Sequence, residues 1–424
     1  VSGSPRATVH ASSKAAVLDL IRAAGTISRV GLINATGLTG GTISTVVRNL
    51  IDEGLVVEIG LAESTGGKRR VLLQLEHSAR YAVGVHLDHT NVTYVLVNLG
   101  GSVVARISRS SAGIEDPSLV VSRITRAADS LIESVGVDRD RVLGLGLVSP
   151  GPLAPTADMR LTPPAMRRWE DFAFDRALEK STGLPVILDN DATAAALGEH
   201  WSGSVGATST VAALYMGTGI GAGILLNGIP YRGPSGNAGE IGHTCLAIDG
   251  PDCWCGAKGC LEAVAGPAAV VAQARADRGL ARAAGLTSKA RAPVATDFAA
   301  ISRAARRGDA RASALLERSA RYIAVAARGL ANVVDLEVLV LTGNSFAIAG
   351  SAYLPVVRAE MERAFFARSA HPVEVRLSNT AATAPAVGAA AIVLQSELAP
   401  LRERVALPEN LAAAEPPVLR PSSA

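Results

Sequence analysis

Aromatic residues are scarce in this chain: Phe, Trp and Tyr make up 4% of 424 residues. A core must therefore rest on Ala, Val, Leu and Ile. No run of eighteen apolar residues occurs, which argues against a membrane span. The first ten residues are polar, include Gly3 and Pro5, and lack an apolar stretch of the secretory kind, so a cytoplasmic location is expected. An excess of one charge is missing too. Lys and Arg number 41 against 38 Asp and Glu, a net charge of +3, so composition alone does not announce a nucleic-acid binder. Cysteine is rare, with four residues, all between 245 and 260. In a cytosolic chain that clustering points to metal before disulfides. What is present suits a soluble protein with a large buried core: 48% hydrophobic and 19% charged residues, in a chain long enough for two or three domains.

The first 75 residues read as three helices and a hairpin. Ser12 or Ser13 can cap a helix with the apolar stripe Val17, Ile21 and Ala24, ending at Gly25. Ser28 can cap a short second helix from Arg29 to Thr36. After a turn at Gly37 to Thr39, the positions Ile43, Val46, Val47, Leu50 and Ile51 keep the i, i+3, i+4, i+7, i+8 spacing of one helix face, and Gly54 stops that helix. Leu55–Ile59 and Arg70–Leu75 read as strands joined by a Gly-rich basic loop, 61–69. From Tyr81 the grammar changes. Strands at 81–87, 92–99 and 102–108, a helix near 117–135 and a strand at 142–147 form one unit. Strands at 209–216, 220–226 and 228–231, then helices and a strand at 336–341, repeat it. Two units of this order suggest a duplicated α/β fold with a cleft between lobes. Residues 279–296 read as a surface loop or helix extension, and the Ala/Pro/Ser-rich end from Pro408 as a disordered tail. The expected domains are 1–78, 79–407 and the tail 408–424.

A helix, a tight turn and a second helix with one apolar face leave the other face free for a major groove. On the third helix that face carries Thr42, Thr45 and Asn49, flanked by Thr39, Ser44 and Arg48. Hydroxyls and amides can bond base edges or phosphates, and Arg48 can neutralise a phosphate. Lys68, Arg69 and Arg70, at the tip of the Gly-rich hairpin loop, form a basic wing suited to phosphates or a narrow minor groove. Gly40 and Gly41 run against helix formation at the start of the third helix, each by roughly 1 kcal/mol relative to Ala.

His243 is followed by Cys253, Cys255 and Cys260. Three thiolates and an imidazole make a closed tetrahedral set, the pattern of one structural zinc per chain, with Gly256 and Gly259 permitting the tight reversals. Cys245 could replace His243 as a ligand, but two residues beyond it on a β-like run it reads as core.

The segment Gly239-Glu240-Ile241-Gly242-His243, followed by Cys253-Trp254-Cys255-Gly256-Ala257-Lys258-Gly259-Cys260-Leu261-Glu262, resembles the signature of the ROK family of repressors and sugar kinases. The resemblance runs from Ser28-Arg29 and Thr36-Gly37-Leu38 to Gly388-Ala389-Ala390. It implies an α/β chain: an N-terminal winged helix-turn-helix and a two-lobed sugar-kinase fold of the actin-like, ribonuclease H-like kind. By this resemblance Asn190 and Asp191 match the kinases' catalytic-base region, where an Asp takes the proton of a sugar hydroxyl. Glu240, His243 and Glu262 match positions that hold sugar hydroxyls. Gly217-Thr218-Gly219-Ile220-Gly221 matches a phosphate-binding turn.

Two departures bear on function. The kinases' first phosphate loop reads Asp-x-Gly-x-Thr, and here it is His86-Leu87-Asp88-His89-Thr90. Asp88 puts a negative charge where phosphate passes. Two like charges about 4 Å apart cost about 4 kcal/mol at an effective dielectric of 20, so weak ATP binding is expected. The Asn expected upstream of Trp169 is replaced by Ala165, within Pro163-Pro164-Ala165-Met166. Asp191 does not restore a kinase, because regulators of this kind also keep it in a ligand pocket. The expectation is a DNA-binding regulator, a repressor of carbohydrate genes, that is not an enzyme. It would act as a homodimer or homotetramer on an inverted-repeat operator and answer to a carbohydrate-like effector. A sugar kinase with an added DNA-binding arm, or a regulator answering to a protein partner, are the alternatives.

Overall fold

The structure, a computed structural model, describes residues 5–61, 70–88, 91–110, 116–151, 153–154, 160–161, 172–202, 205, 210–286 and 292–398. The N-terminal unit comprises α1 (Pro5–Ala24), β1 (Ile27–Ser28), α2 (Arg29–Thr36), α3 (Gly40–Asp52), β2 (Val56–Leu61) and β3 (Val71–Leu75). Ser28 Oγ accepts from Gly31 N at 3.2 Å and Thr39 Oγ1 from Thr42 N at 3.2 Å, so each helix of the pair starts on a hydroxyl cap. Gly37 ends α2 at φ 68°, a left-handed turn that favours glycine. Ile43, Val46, Val47 and Leu50 close over Val17, Leu18, Ile21, Leu32, Leu73 and Leu75. The three strands pair antiparallel in the order β1-β3-β2. Two expectations are corrected here. The first helix begins at Pro5, not at a Ser12 or Ser13 cap, since a proline in the first turn forgoes an N–H that the helix does not use there. Ala24 is exposed, and Leu18 joins the stripe in its place. Lys68 and Arg69 lie outside the described residues.

The first lobe is built from β4 (Tyr81–Leu87), β5 (Asn91–Asn98), β6 (Val103–Ser110), α4 (Pro117–Val135), β7 (Val142–Ser149), a short pair β8 (Leu153–Ala154) and β9 (Arg160–Leu161), α5 (Phe174–Thr182) and β10 (Val186–Asn190). Its sheet order is β10-β7-β4-β5-β6. After α6 (Asp191–Trp201) come β11 (Val211–Met216), β12 (Ile220–Leu226) and β13 (Ile229–Pro230). Helices α7 (Leu261–Ala265), α8 (Pro267–Ala276), α9 (Arg278–Ala283), α10 (Val294–Arg306) and α11 (Ala310–Val334) follow, then β14 (Val338–Thr342), α12 (Asn344–Ala364), β15 (Glu374–Leu377) and α13 (Ala384–Leu398). The second sheet runs β13-β12-β11-β14-β15. Each sheet is an antiparallel meander extended by two parallel strands, so the duplication is real at the level of strand order. The stretch expected to be loop or helix extension, 279–296, opens within α9 and closes within α10, with 287–291 outside the described residues. The tail 408–424 is likewise outside them.

The helices that end the two lobes exchange partners. α6 follows the first sheet but lies on β11 and β12 of the second, and α13 follows the second sheet but lies on β4 and β7 of the first. The two helices pack against each other along their lengths through backbone contact. A Cβ on Gly388 would lie 1.7 Å from Ala194 O, and one on Gly146 would lie 2.0 Å from Ala389 O. Such approach admits only small residues, which is why the centre of the molecule is alanine and glycine and needs few aromatics. Among the described residues no helix is long and apolar enough to cross a membrane.

Candidate effector cleft, metal centre and DNA-facing helix

The chain turns from β10 into α6 at the edge of the cleft, and the Asn190 side chain makes that turn. Its Oδ1 accepts from Ala192 N at 2.9 Å and Thr193 N at 3.1 Å. This cap fixes Asp191 at the first position of the helix, where the positive end of the helix dipole favours a carboxylate. Asp189, one residue earlier, is held by Arg232 at 2.6 Å across the cleft. From the first lobe, His86 Nε2 approaches Asp191 Oδ2 at 3.5 Å and the Tyr215 hydroxyl at 3.4 Å. Burial raises the Tyr215 hydroxyl pKa well above its usual value, and the charges of Asp191 and Asp88 add to that. At the glycine turn between β11 and β12, the Thr218 hydroxyl donates to Asp88 Oδ1 at 3.4 Å. Asp88 is itself buried.

Glu240 reaches the same cleft from the stretch after β13. A Cβ on Gly151 would sit 2.7 Å from Glu240 Oε1 and 3.0 Å from Asn190 Nδ2, so the glycine leaves room for these two polar ends to lie together. Burial, reinforced by Asp191 and Glu262, pushes the Glu240 carboxyl up to about 7. Glu262 is already engaged: Oε2 accepts from Ile220 N and Oε1 from Trp254 Nε1, each at 2.9 Å. It thereby joins the glycine turn to the cysteine loop.

In that loop the ligand atoms of His243, Cys253, Cys255 and Cys260 all lie within 4.8 Å of one another. His243 Nδ1 is 3.5 Å from Cys253 Sγ, and Cys255 Sγ is 3.7 Å from Cys260 Sγ. A tetrahedron with metal–sulfur bonds of about 2.3 Å has sulfur–sulfur edges of about 3.8 Å, so the donor set fits a divalent metal such as zinc. Burial pushes the Cys260 thiol up to about 12 and also raises Cys253, whereas a hydrogen bond from the Ala257 backbone lowers Cys255. A bound cation supplies the charge that makes such buried thiolates stable. Gly256 at φ 91° and Gly259 at φ 64° make the reversals. Cys245 is not core: its side chain is exposed, because the 3-10 turn Ile241–His243 is followed by a single isolated bridge from Cys245 to Cys260, with no strand alternation.

On α3 the hydroxyls of Ser44 and Thr45 donate back to Gly40 O and Gly41 O, and Thr39 Oγ1 pairs with Thr42 Oγ1 at 2.9 Å. Arg48 and Asn49 are exposed and make no side-chain hydrogen bond or ion pair among the described residues. The structure thus brings Asn190, Asp191, Glu240 and Glu262 into one cluster, and gathers Thr42, Ser44, Thr45, Arg48 and Asn49 on a separate helix capped by Thr39. His89, Thr90, Ala165 and Trp169 lie outside the described residues. Arg232, Tyr215 and Trp254 also take part, beyond the expected site residues. Trp254 lies within the 253–262 signature, which marks it; the other two carry no local signal.

A duplicated two-lobed domain of the sugar-kinase kind, preceded by a winged helix, is the class of protein this fold defines. The ROK family profile matches residues 82–396, and the chain belongs to the ROK family. It is 28% identical over 379 residues to a xylose repressor of Caldicellulosiruptor bescii, covering 88% of this chain and 92% of that one. It is 31% identical to a glucokinase of Halalkalibacterium halodurans, over 76% of this chain and 97% of that one. The crystal structure of a ROK family transcriptional regulator, described as a homologue of the Escherichia coli MLC protein, matches with a TM-score of 0.71 at 25% identity, over 92% of this chain and 98% of that one.

Proposed function

We propose that this protein is a transcriptional repressor that binds an operator through α3 and its wing and answers to an unphosphorylated sugar, which it does not phosphorylate. The observation that carries the reading is Asp88, a carboxylate resident at the glycine turn where a kinase would seat phosphate, with its oxygen already taking the Thr218 hydroxyl. At about 4 Å its charge opposes an incoming phosphate by about 4 kcal/mol at a dielectric of 20. His86 adds to this by geometry, because its Nε2 already lies 3.5 Å from Asp191 Oδ2, the atom that would have to meet a sugar hydroxyl. The whole-length likeness to a repressor and to a solved regulator supports the same reading.

In this proposal Asn190, Asp191 and Glu240 take sugar hydroxyls, and Glu262 offers its remaining lone pairs. His243 turns Nδ1 to one structural zinc per chain, leaving Nε2 for the sugar. Residues 1–78 are the DNA-binding domain and 79–407 the effector domain of a homodimer or homotetramer. Calorimetry with xylose and glucose, beside a coupled assay for ATP consumption, tests it. Sugar should bind without turnover, and Glu240→Gln should weaken sugar binding by about tenfold, one hydrogen bond's worth, with DNA affinity intact. ATP-dependent sugar phosphorylation lost in Asp191→Asn would overturn the reading.

On DNA, two α3 helices related by a two-fold axis require half-sites about 34 Å apart, or a multiple of that. Arg48→Ala should weaken binding to all sequences and lower the salt slope by about 1, as loss of one phosphate contact does. Asn49→Ala should cost about 1–3 kcal/mol and relax discrimination at one base pair. Mobility shifts across a salt series separate the two. Unchanged affinity in both variants would remove α3 from the interface.

A further inference from the structure

Helix α6 has buried residues at every one of its 11 positions, and three of its polar side chains have no part in the cleft chemistry above. Its first residue, Asp191, lies in the cleft. Near its other end Glu199, 1% exposed, turns toward the second lobe, where it accepts from the Thr342 hydroxyl at 3.1 Å at the end of β14. Ser378 and Thr380, just beyond β15, donate to the same oxygen. A buried carboxylate is stable only with such donors, so Glu199 ties the helix to the strand ends of the second lobe. The next residues face the other way, toward the DNA-binding unit. His200, 2% exposed, has Nε2 4.0 Å from Asp19 Oδ2 on α1. The Trp201 carbonyl accepts from Arg22 Nη1 at 3.2 Å, and the Arg22 guanidinium lies 4.7 Å over the Trp201 ring. Arg22 is closed by Asp19 at 2.7 Å, and its side chain is 6% exposed. Burial opposes the Asp19 charge, but His200 and Arg22 outweigh it and hold the carboxyl at about 2.

We infer that α6 is the strut that couples the sugar cleft to the DNA-binding unit, with Glu199 registering the position of the second lobe and the Asp19–Arg22–His200–Trp201 cluster passing it to α1. This rests on the proposed sugar-responsive reading. The physical case is continuity. One rigid helix ends in the cleft, in the second lobe and against α1, and packed backbones such as Gly198 against Ala384 O leave it no room to bend in place. A displacement of the second lobe relative to the first must therefore move Trp201 or break the Glu199 contacts. α1 packs on α3, the helix proposed to meet DNA, so a shift at Arg22 re-aims the pair of α3 helices in the assembly.

Xylose and glucose are the probes, the DNA is a fragment selected by the wild-type protein, and the full chain is used throughout. In the wild type, sugar should change DNA affinity by about tenfold or more and alter amide exchange in residues 17–24. Glu199→Gln and Arg22→Ala should each keep sugar affinity and sugar-free DNA affinity within about threefold, yet reduce the sugar-induced change in DNA affinity to under about threefold. Exchange in residues 17–24 should then no longer respond to sugar. Arg22→Lys, which keeps the charge but loses the planar stack, should fall between. Variants that fold, bind both ligands and respond fully to sugar would overturn the strut while leaving the sugar-responsive reading standing. A wild type unmoved by either sugar would overturn both.

Discussion

Gly388→Val is expected to abolish the folded two-lobed domain. The glycine's missing Cβ would lie 1.7 Å from Ala194 O and 2.8 Å from Ala194 Cα, so the obstruction is backbone with no flexible side chain to swing aside. Relief requires α6 and α13 to separate, and each is also pressed onto a sheet by glycines of that sheet, as Gly146 is against Ala389 and Gly223 against Ala192. Overpacking a core by a methylene or two costs about 1–3 kcal/mol. Here the whole helix pair must part, and the cost approaches the total stability of an ordinary domain, about 5–15 kcal/mol. Gly329→Ala is the matched control: it is also a helical glycine, but with nothing within 4 Å, and it should be neutral or stabilise by up to about 1 kcal/mol. Urea denaturation followed by circular dichroism reads both. A Gly388→Val protein with the wild-type midpoint would show that the two helices do not touch as described.

Removal of the metal is the second large effect. Purified protein should hold about one zinc per chain, and Cys255→Ser or a strong chelator should release it. Apart from the metal, the described contacts that hold the cysteine loop are turns, the backbone bonds of Leu246 and Ala247 to Gly259 O, the Trp254–Glu262 hydrogen bond and the exposed Asp252–Lys258 pair, with no regular helix or strand among them. Zinc sites in small peptide domains supply roughly 10–16 kcal/mol, and even a modest share of that exceeds what these turns provide. As the loop opens, Trp254 leaves Glu262, and sugar affinity should fall at least tenfold, while the winged helix, whose core has no residue from that loop, keeps DNA binding. Metal analysis with calorimetry checks this. Metal-free protein with unchanged sugar affinity would mean that the four side chains meet for another reason.

Where one face of an element was buried and the other wet, the sequence was readable. The spacing of Ile43, Val46, Val47 and Leu50 located α3, and the order of strands disclosed the duplication. α6 was opaque for the opposite reason: all its faces are buried, so it has no stripe, and its exchange with α13 is written in single glycines such as Gly388 whose partners are nearly two hundred residues away. Cys245 departs from the expected core position because alternation sorts inside from outside only along a strand, and the chain there makes a single isolated bridge. The cleft residues Asn190, Asp191, Glu240 and Glu262 stood out through a resemblance. Arg232, which holds Asp189 from 43 positions away, has no pattern around it to mark it.

The scarcity of aromatics leaves the molecule with few optical reporters. Of the three tryptophans, Trp169 lies outside the described residues, and the other two stand at the contact of α6 with α1 and in the cysteine loop. Trp201 is 6% exposed beneath a guanidinium. Trp254 is 49% exposed, edge-on to His243 at 4.7 Å and hydrogen-bonded to a carboxylate. An indole in a dry pocket emits at shorter wavelength than one in water, and a nearby imidazolium or thiolate quenches it. Of the two described indoles, Trp201 at the contact between α6 and α1 is therefore the bluer emitter, and Trp254 in the cysteine loop the redder and more readily quenched one. Single-tryptophan chains would let the events at the cleft and at the DNA-binding unit be timed separately, in the same cuvette and without a label.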